Sequence, residues 1–221
     1  MPMASDLDPD RILALSYVPA EPRPRLSALW RLDHALGQVI AGGREPMISR
    51  IKLAWWRESL ERLDRERAPA EPLLKELAAT LLPVGLTGAD LAEMEEGWSV
   101  LLDADRLGPE EFSGYSSKRG GLLFRYSARL LGGENQGIET AGEAWALVDL
   151  ARHSAERDEA DAAIARALSM APFPAMPSRL RPLGMLAALA IRDCDPARMR
   201  WEAQGSPGRM LRMIRYRLTG R

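Results

Sequence analysis

"EPMISRIKLAWWRESLERL", residues 45–63, decides the reading of the fold. At about 100° per residue, Ile48, Ile51 and Trp55 fall on one stripe of a helix, and Leu53, Trp56, Leu60 and Leu63 fall on a second, roughly 100° away. Together the stripes cover well over half the circumference. A helix of that kind is expected to be covered on two sides, which implies a layered helical bundle. The tryptophan pair reads most simply as core; the functional reading is that Trp55 or Trp56 lines an apolar cavity for a long hydrocarbon.

Working outward, apolar residues recur at spacings of three and four, and no stretch alternates with period two, so the chain reads as all-α. Asp8-Pro9 places a cap and a first-turn proline before a first helix. A second helix is expected over about 24–41, the third over about 47–67, and another from Thr87 through Asp103. "GPEE" starts a helix that meets Gly120-Gly121, where a kink is expected. A long helical pattern then covers roughly 138–170, followed by a proline-rich loop and shorter helices.

With 221 residues, 46% hydrophobic and 28% charged, the chain reads as one domain over 1–221, its core at about 10–190 and a basic helical tail at about 196–221. A formal net charge of −1 gives no footprint for nucleic acid. One cysteine, Cys194, excludes an internal disulfide and a cysteine-based metal site, and two histidines, His34 and His153, exclude histidine-rich ligation. No apolar run reaches the length of a bilayer span, and the N-terminus lacks the layout of a secretory signal, so the expectation is a cytoplasmic protein.

The same 45–63 stretch resembles a segment of the squalene/phytoene synthase family of the form E-P-M-x-x-x-I-x-L-x-W-W-R-x-x-L. "PRLSALWRLDHALGQVI" is similar to that family's first functional helix, and "GEAWALVDLAR" to its G-x-A-x-Q-L-T-N-I-L-R-D helix. The resemblance implies an isoprenoid synthase helical bundle with a central cavity. For active members it also implies head-to-head condensation of prenyl diphosphates. That chemistry needs Mg²⁺ to neutralise the leaving diphosphate and carboxylates spaced i, i+3 or i+4 on two facing helices to hold the ions.

Residue by residue, this chain departs from both acidic motifs. Gly37, Gln38 and Ala41 stand where D-D-x-x-D has its aspartates. His153 and Arg157 stand where D-x-x-E-D has its outer aspartates, and only Glu156 keeps its acid. The expectation is therefore a non-catalytic accessory or assembly protein without a cofactor. The "LGQV" wording also resembles the branch represented by the mitochondrial complex I assembly factor. The opposing expectation is an active prenyltransferase with a shifted Mg²⁺ site built from Asp33, Asp149 and Glu156, each of the two aspartates lying one turn before a lost ligand. A third is a metal-free receptor for a prenyl phosphate or phospholipid headgroup, gripped by Arg152, His153 and Arg157.

From 196 to 221 seven arginines (198, 200, 209, 212, 215, 217 and 221) face one acid, Glu202. The stretch Arg209–Arg217, with Met210, Leu211, Met213 and Ile214 interleaved, suits peripheral contact with an anionic inner-membrane surface, docking on an acidic protein partner, or simple packing as the last helix.

Overall fold

The computed structural model describes residues 7–43, 45–195 and 201–220. Arg198, Arg200 and Arg221 of the basic tail lie outside the described residues. Among these residues there are eleven α-helices and no strand. They are α1 (Pro9–Ser16), α2 (Arg23–Ala41), α3 (Pro46–Arg62), α4 (Pro72–Thr80), α5 (Gly88–Asp103), α6 (Pro109–Tyr115), α7 (Leu122–Leu130), α8 (Ile138–His153), α9 (Arg157–Ser169), α10 (Arg181–Asp193) and α11 (Pro207–Thr219). No helix among them is long and apolar enough to cross a membrane.

Local chemistry sets the helix starts. The Asp8 carboxylate accepts from the backbone N–H of Asp10 and Arg11, both at 3.0 Å, which satisfies two of the donors that a first helical turn leaves over. Thr87 and Asp90 form a reciprocal capping box at the start of α5. Between α6 and α7 the chain does more than kink: Ser116–Gly121 forms a π-helical turn, the kind of local widening that re-aims a side chain inside a continuing helix.

That turn is held between α5 and α8 by positions that tolerate no side chain. A Cβ on Gly120 would lie 2.1 Å from the Gly142 carbonyl oxygen, and one on Gly142 would lie 2.2 Å from the Gly120 carbonyl oxygen. On the other side, a Cβ on Gly97 of α5 would lie 2.8 Å from the backbone nitrogen of Arg119. The backbones of three elements therefore meet at van der Waals contact around residue 119.

Two expectations are corrected here. Helix α3 is covered on one side only. Leu53, Leu60 and Leu63 are buried against the bundle, whereas Ile48, Ile51 and Trp55 face solvent, Trp55 at 43% exposure. The wheel shows the apolarity, but α3 packs chiefly on α5, with α2 beside it, and among the described residues the stripe of Ile48, Ile51 and Trp55 stays exposed. The long helix over 138–170 breaks at 154–156. Ser154 turns extended, its Oγ donates to the Glu156 carbonyl and accepts from the Glu156 N–H, and α9 restarts in a new direction.

The tail is docked. Arg209 is buried and donates to the Asp10 carboxylate at 2.9 and 3.0 Å and to Asp193, which ties α11 to α1 and α10. Met213 and Tyr216 are buried beneath it, while Leu211 and Leu218 stay exposed. Cys194 is buried, and burial together with Asp193 pushes its thiol up to about 11, which makes it unreactive.

Candidate functional site

The bundle encloses a cavity of about 680 Å³ between α2, α5, the π-turn and the C-terminal end of α8. Its lining includes Asp33, His34, Gly37 and Gln38 from α2, Trp98 from α5, Tyr115 and Arg119, and Asp149 and His153 from α8. A cavity of this size, with an apolar wall and a few convergent polar groups, is the form a small-molecule site takes.

At its floor two guanidiniums hold the two aspartates. Arg119 sits on the π-turn with 2% of its side chain exposed. Its Nε donates to Asp33 Oδ1 at 3.0 Å, and its Nη2 lies 2.7 Å from Asp149 Oδ2, so a single cation bridges a carboxylate of α2 to a carboxylate of α8. Arg11 reaches in from α1: its Nη2 donates to Asp33 Oδ2 at 2.7 Å and its Nη1 to the Trp30 carbonyl at 3.2 Å. Asp33 is completely buried, and such a carboxylate is tolerated only when paired and hydrogen-bonded on both oxygens, as here. Aromatic faces complete the seat. The Arg119 guanidinium lies 4.1 Å from the Trp98 ring, 4.9 Å from Trp145 and 5.4 Å from Tyr115, whose hydroxyl accepts from Arg119 Nη1.

The electrostatics follow from this geometry. Burial alone would raise the pKa of Asp33, but Arg119 and then Arg11 outweigh it and hold the carboxyl below its usual range. At Asp149 burial is again opposed by Arg119, with His153 and Arg11 adding to it, and the net shift is downward. Burial pushes the Tyr115 phenol up, so it stays protonated. A carboxylate whose folded pKa lies below its unfolded value of about 3.9 stabilises the fold above that value and loses the contribution as pH falls through the folded pKa. The urea midpoint is therefore expected to be level from about pH 7 to pH 5 and to fall below about pH 4. Asp33→Asn, less stable at neutral pH, should show a shallower acid limb when the two unfolding series are measured side by side.

The sequence-predicted residues are only partly brought together. Asp33, Gly37, Gln38, Asp149, His153 and Glu156 line the cavity. Trp55 does not: it packs edge-on against Trp56 at 5.3 Å, on the outer surface of α3. The shifted metal site is not what these residues build. Asp33 and Asp149 are already engaged by guanidinium, and the break at Ser154 makes Glu156 the exposed N-cap residue of α9. Among the described residues no three His, Cys, Asp or Glu side chains are grouped to hold a metal ion, so the residues present do not fit the Mg²⁺ cluster that diphosphate ionisation requires.

The phosphate clamp of Arg152, His153 and Arg157 is not assembled either. Arg152 points away from the cavity to Asp193 at 2.9 Å and to the Glu202 carbonyl at 2.8 Å. Arg157 is 92% exposed, 3.8 Å from Asp161, and the His153 ring stays with its own helix, Nδ1 lying 2.8 Å from the Asp149 carbonyl oxygen.

Gly37, at a lost acidic position, is filled from across the cavity. A Cβ there would lie 2.8 Å from Trp98 Cη2. Gly37→Asp is therefore expected to destabilise the protein by about 1–3 kcal/mol through overpacking and to give no Mg²⁺-dependent rise in melting temperature, both read in one thermal scan with and without the metal.

The residues that matter most at this floor, Arg11, Trp98, Tyr115, Arg119 and Trp145, were not singled out by the sequence. A signal was present for Arg119: with Tyr115, Leu123 and Tyr126 it occupies the buried face of its helix, and a charge on such a face needs a buried partner.

No curated protein and no solved structure matches the chain. A model of the squalene/phytoene synthase family matches residues 5–168, a span that takes in α1 through nearly all of α9 and every residue of the guanidinium–aspartate cluster. By that match and its all-helical architecture, the chain belongs to the squalene/phytoene synthase family.

Proposed function

We propose that this protein is a non-catalytic member of its family, an accessory or assembly protein that keeps the bundle and its cavity and has exchanged metal-held carboxylates for arginine-held ones. One observation carries the reading: the Arg119 guanidinium bridges Asp33 on α2 and Asp149 on α8 at 3.0 and 2.7 Å, so the two acids that lie one turn before the motif positions are taken up by a side chain of the protein itself. Two guanidiniums, Arg119 and Arg11, balance the charge of these two carboxylates, but they bring no coordination sites for diphosphate oxygens. The missing acids at 37, 38, 41, 153 and 157 support the same reading. The branch represented by the mitochondrial complex I assembly factor is the assignment within the family that we favour on the "LGQV" wording.

Pyrophosphate release from farnesyl or geranylgeranyl diphosphate tests it. With Mg²⁺ present, release is expected to stay at the rate without protein, and no condensed hydrocarbon should form. Metal-dependent release that scales with protein concentration would contradict the proposal.

A further inference from the structure

Helix α11 is apolar on two faces. Arg209, Met213 and Tyr216 point into the protein and dock it on α1 and α10. At about 100° per residue, Leu211 and Leu218 fall on the opposite side, with Ile214 next to them and Met210 beyond it. Leu211 is 69% exposed and Leu218 72%; Met210 is exposed and Ile214 half-buried. A helix that packs on one side normally shows polar residues on the other, so a leucine stripe turned outward, opposite a face already filled, needs a reason beyond docking.

The stripe continues onto α1. A Cβ at Gly205 would lie 2.6 Å from Pro9 Cβ and 3.8 Å from Met210 Cε, and the Arg217 guanidinium lies 5.8 Å from the Tyr17 ring, so the two helices run side by side in the same direction. Ile12, one turn on from Pro9, is exposed as well. Cations border this apolar patch. Arg215 and Arg212 follow Leu211 round the helix, and neither makes an ion pair among the described residues. Within α1 and α11 the one carboxylate is Asp10, which is buried and spent on Arg209. Glu202, in the segment leading into α11, is paired with Arg192 at 2.6 Å.

We propose that the outward face of α11, with Ile12 of α1 beside it, docks the protein on an anionic lipid bilayer. Met210, Leu211, Ile214 and Leu218 enter the headgroup boundary, and Arg212 and Arg215 meet lipid phosphates. Uncompensated arginines beside an aliphatic stripe are complementary to a surface that is anionic above and apolar below. An acidic protein fits less well, because the patch is an outward helix face with no Trp or Tyr to anchor a partner. The proposal stands independently of whether the cavity catalyses.

Co-sedimentation of the full chain with sucrose-loaded vesicles tests it, using phosphatidylcholine alone and phosphatidylcholine with about one-third phosphatidylglycerol, at about 0.1 and about 0.5 M salt. The chain is expected to bind the anionic vesicles about tenfold or more tighter than the neutral ones and to be released at the higher salt. Leu211→Ser with Leu218→Ser, and separately Arg212→Gln with Arg215→Gln, should each weaken that binding about tenfold or more. The leucines lie off the docked face, so the first pair should leave the melting temperature in place. Ile51→Ser, in the exposed stripe of α3, should leave vesicle binding unchanged. Absence of binding to anionic vesicles, equal binding to both compositions, or binding lost with Ile51→Ser and kept with the α11 variants would each overturn the proposal. Binding to polyglutamate without binding to vesicles would overturn it as well and assign the face to an acidic protein.

Discussion

Arg119→Met is expected to lower the unfolding free energy by about 3–5 kcal/mol, because it removes one partner of a buried ion pair and leaves Asp149 without its guanidinium and the fully buried Asp33 with Arg11 alone. For a chain of this length that corresponds to a fall in melting temperature of roughly 6–20 °C. Methionine keeps most of the volume beneath Trp98, so the loss reports charge more than cavity. Asp33→Asn placed in the same chain should recover part of it, since the carboxylate that Arg119 neutralised is then gone. Urea unfolding of the four members of that cycle measures the coupling directly, and a coupling near zero would mean that Arg119 acts through packing alone.

Gly142→Ala is expected to be worse still for the site, costing about 3 kcal/mol or more or preventing folding. The added methyl would sit 2.2 Å from the Gly120 carbonyl oxygen and 2.7 Å from the Phe124 ring, and the first of these neighbours is backbone that cannot swing aside. Helix α8 would have to move away from the π-turn, taking Asp149 from Arg119 with it. Soluble yield and the near-ultraviolet circular dichroism of the surrounding aromatics check this, and an unperturbed protein would show that the two backbones have room to separate.

Much of the architecture was legible because helix signals are local. Asp8 and Thr87 cap where the sequence places them, and Gly120-Gly121 marks the departure from regular α-helix, although sequence does not say that the departure is a π-turn. What failed depended on neighbours. The wheel of α3 shows Ile48, Ile51 and Trp55 as apolar, but only the bundle decides that nothing among the described residues covers them. The end of α8 carries no proline or glycine, and the Ser154 hydroxyl that stops it is an ordinary surface residue by composition.

At the site, Asp33 and Asp149 line the cavity, and each is paired with guanidinium rather than grouped with further carboxylates. Such acids point to a bound cation, and the cation here is covalently part of the chain. Arg11 offers the same lesson as Arg119: it shares the inward face of α1 with Ala14 and Leu15, where a charge is out of place unless something inside answers it.

Guanidinium, not a divalent ion, bridges the α2 and α8 carboxylates in this account of the site. Crystals grown with Mn²⁺ and a non-hydrolysable farnesyl diphosphate analogue test it most directly through anomalous scattering. The expected map has the Arg119 side chain between Asp33 and Asp149 and no anomalous peak within coordination distance of either carboxylate. A Mn²⁺ peak between them, with Arg119 swung aside, would contradict the account and restore the protein to the metal-dependent enzymes of its family.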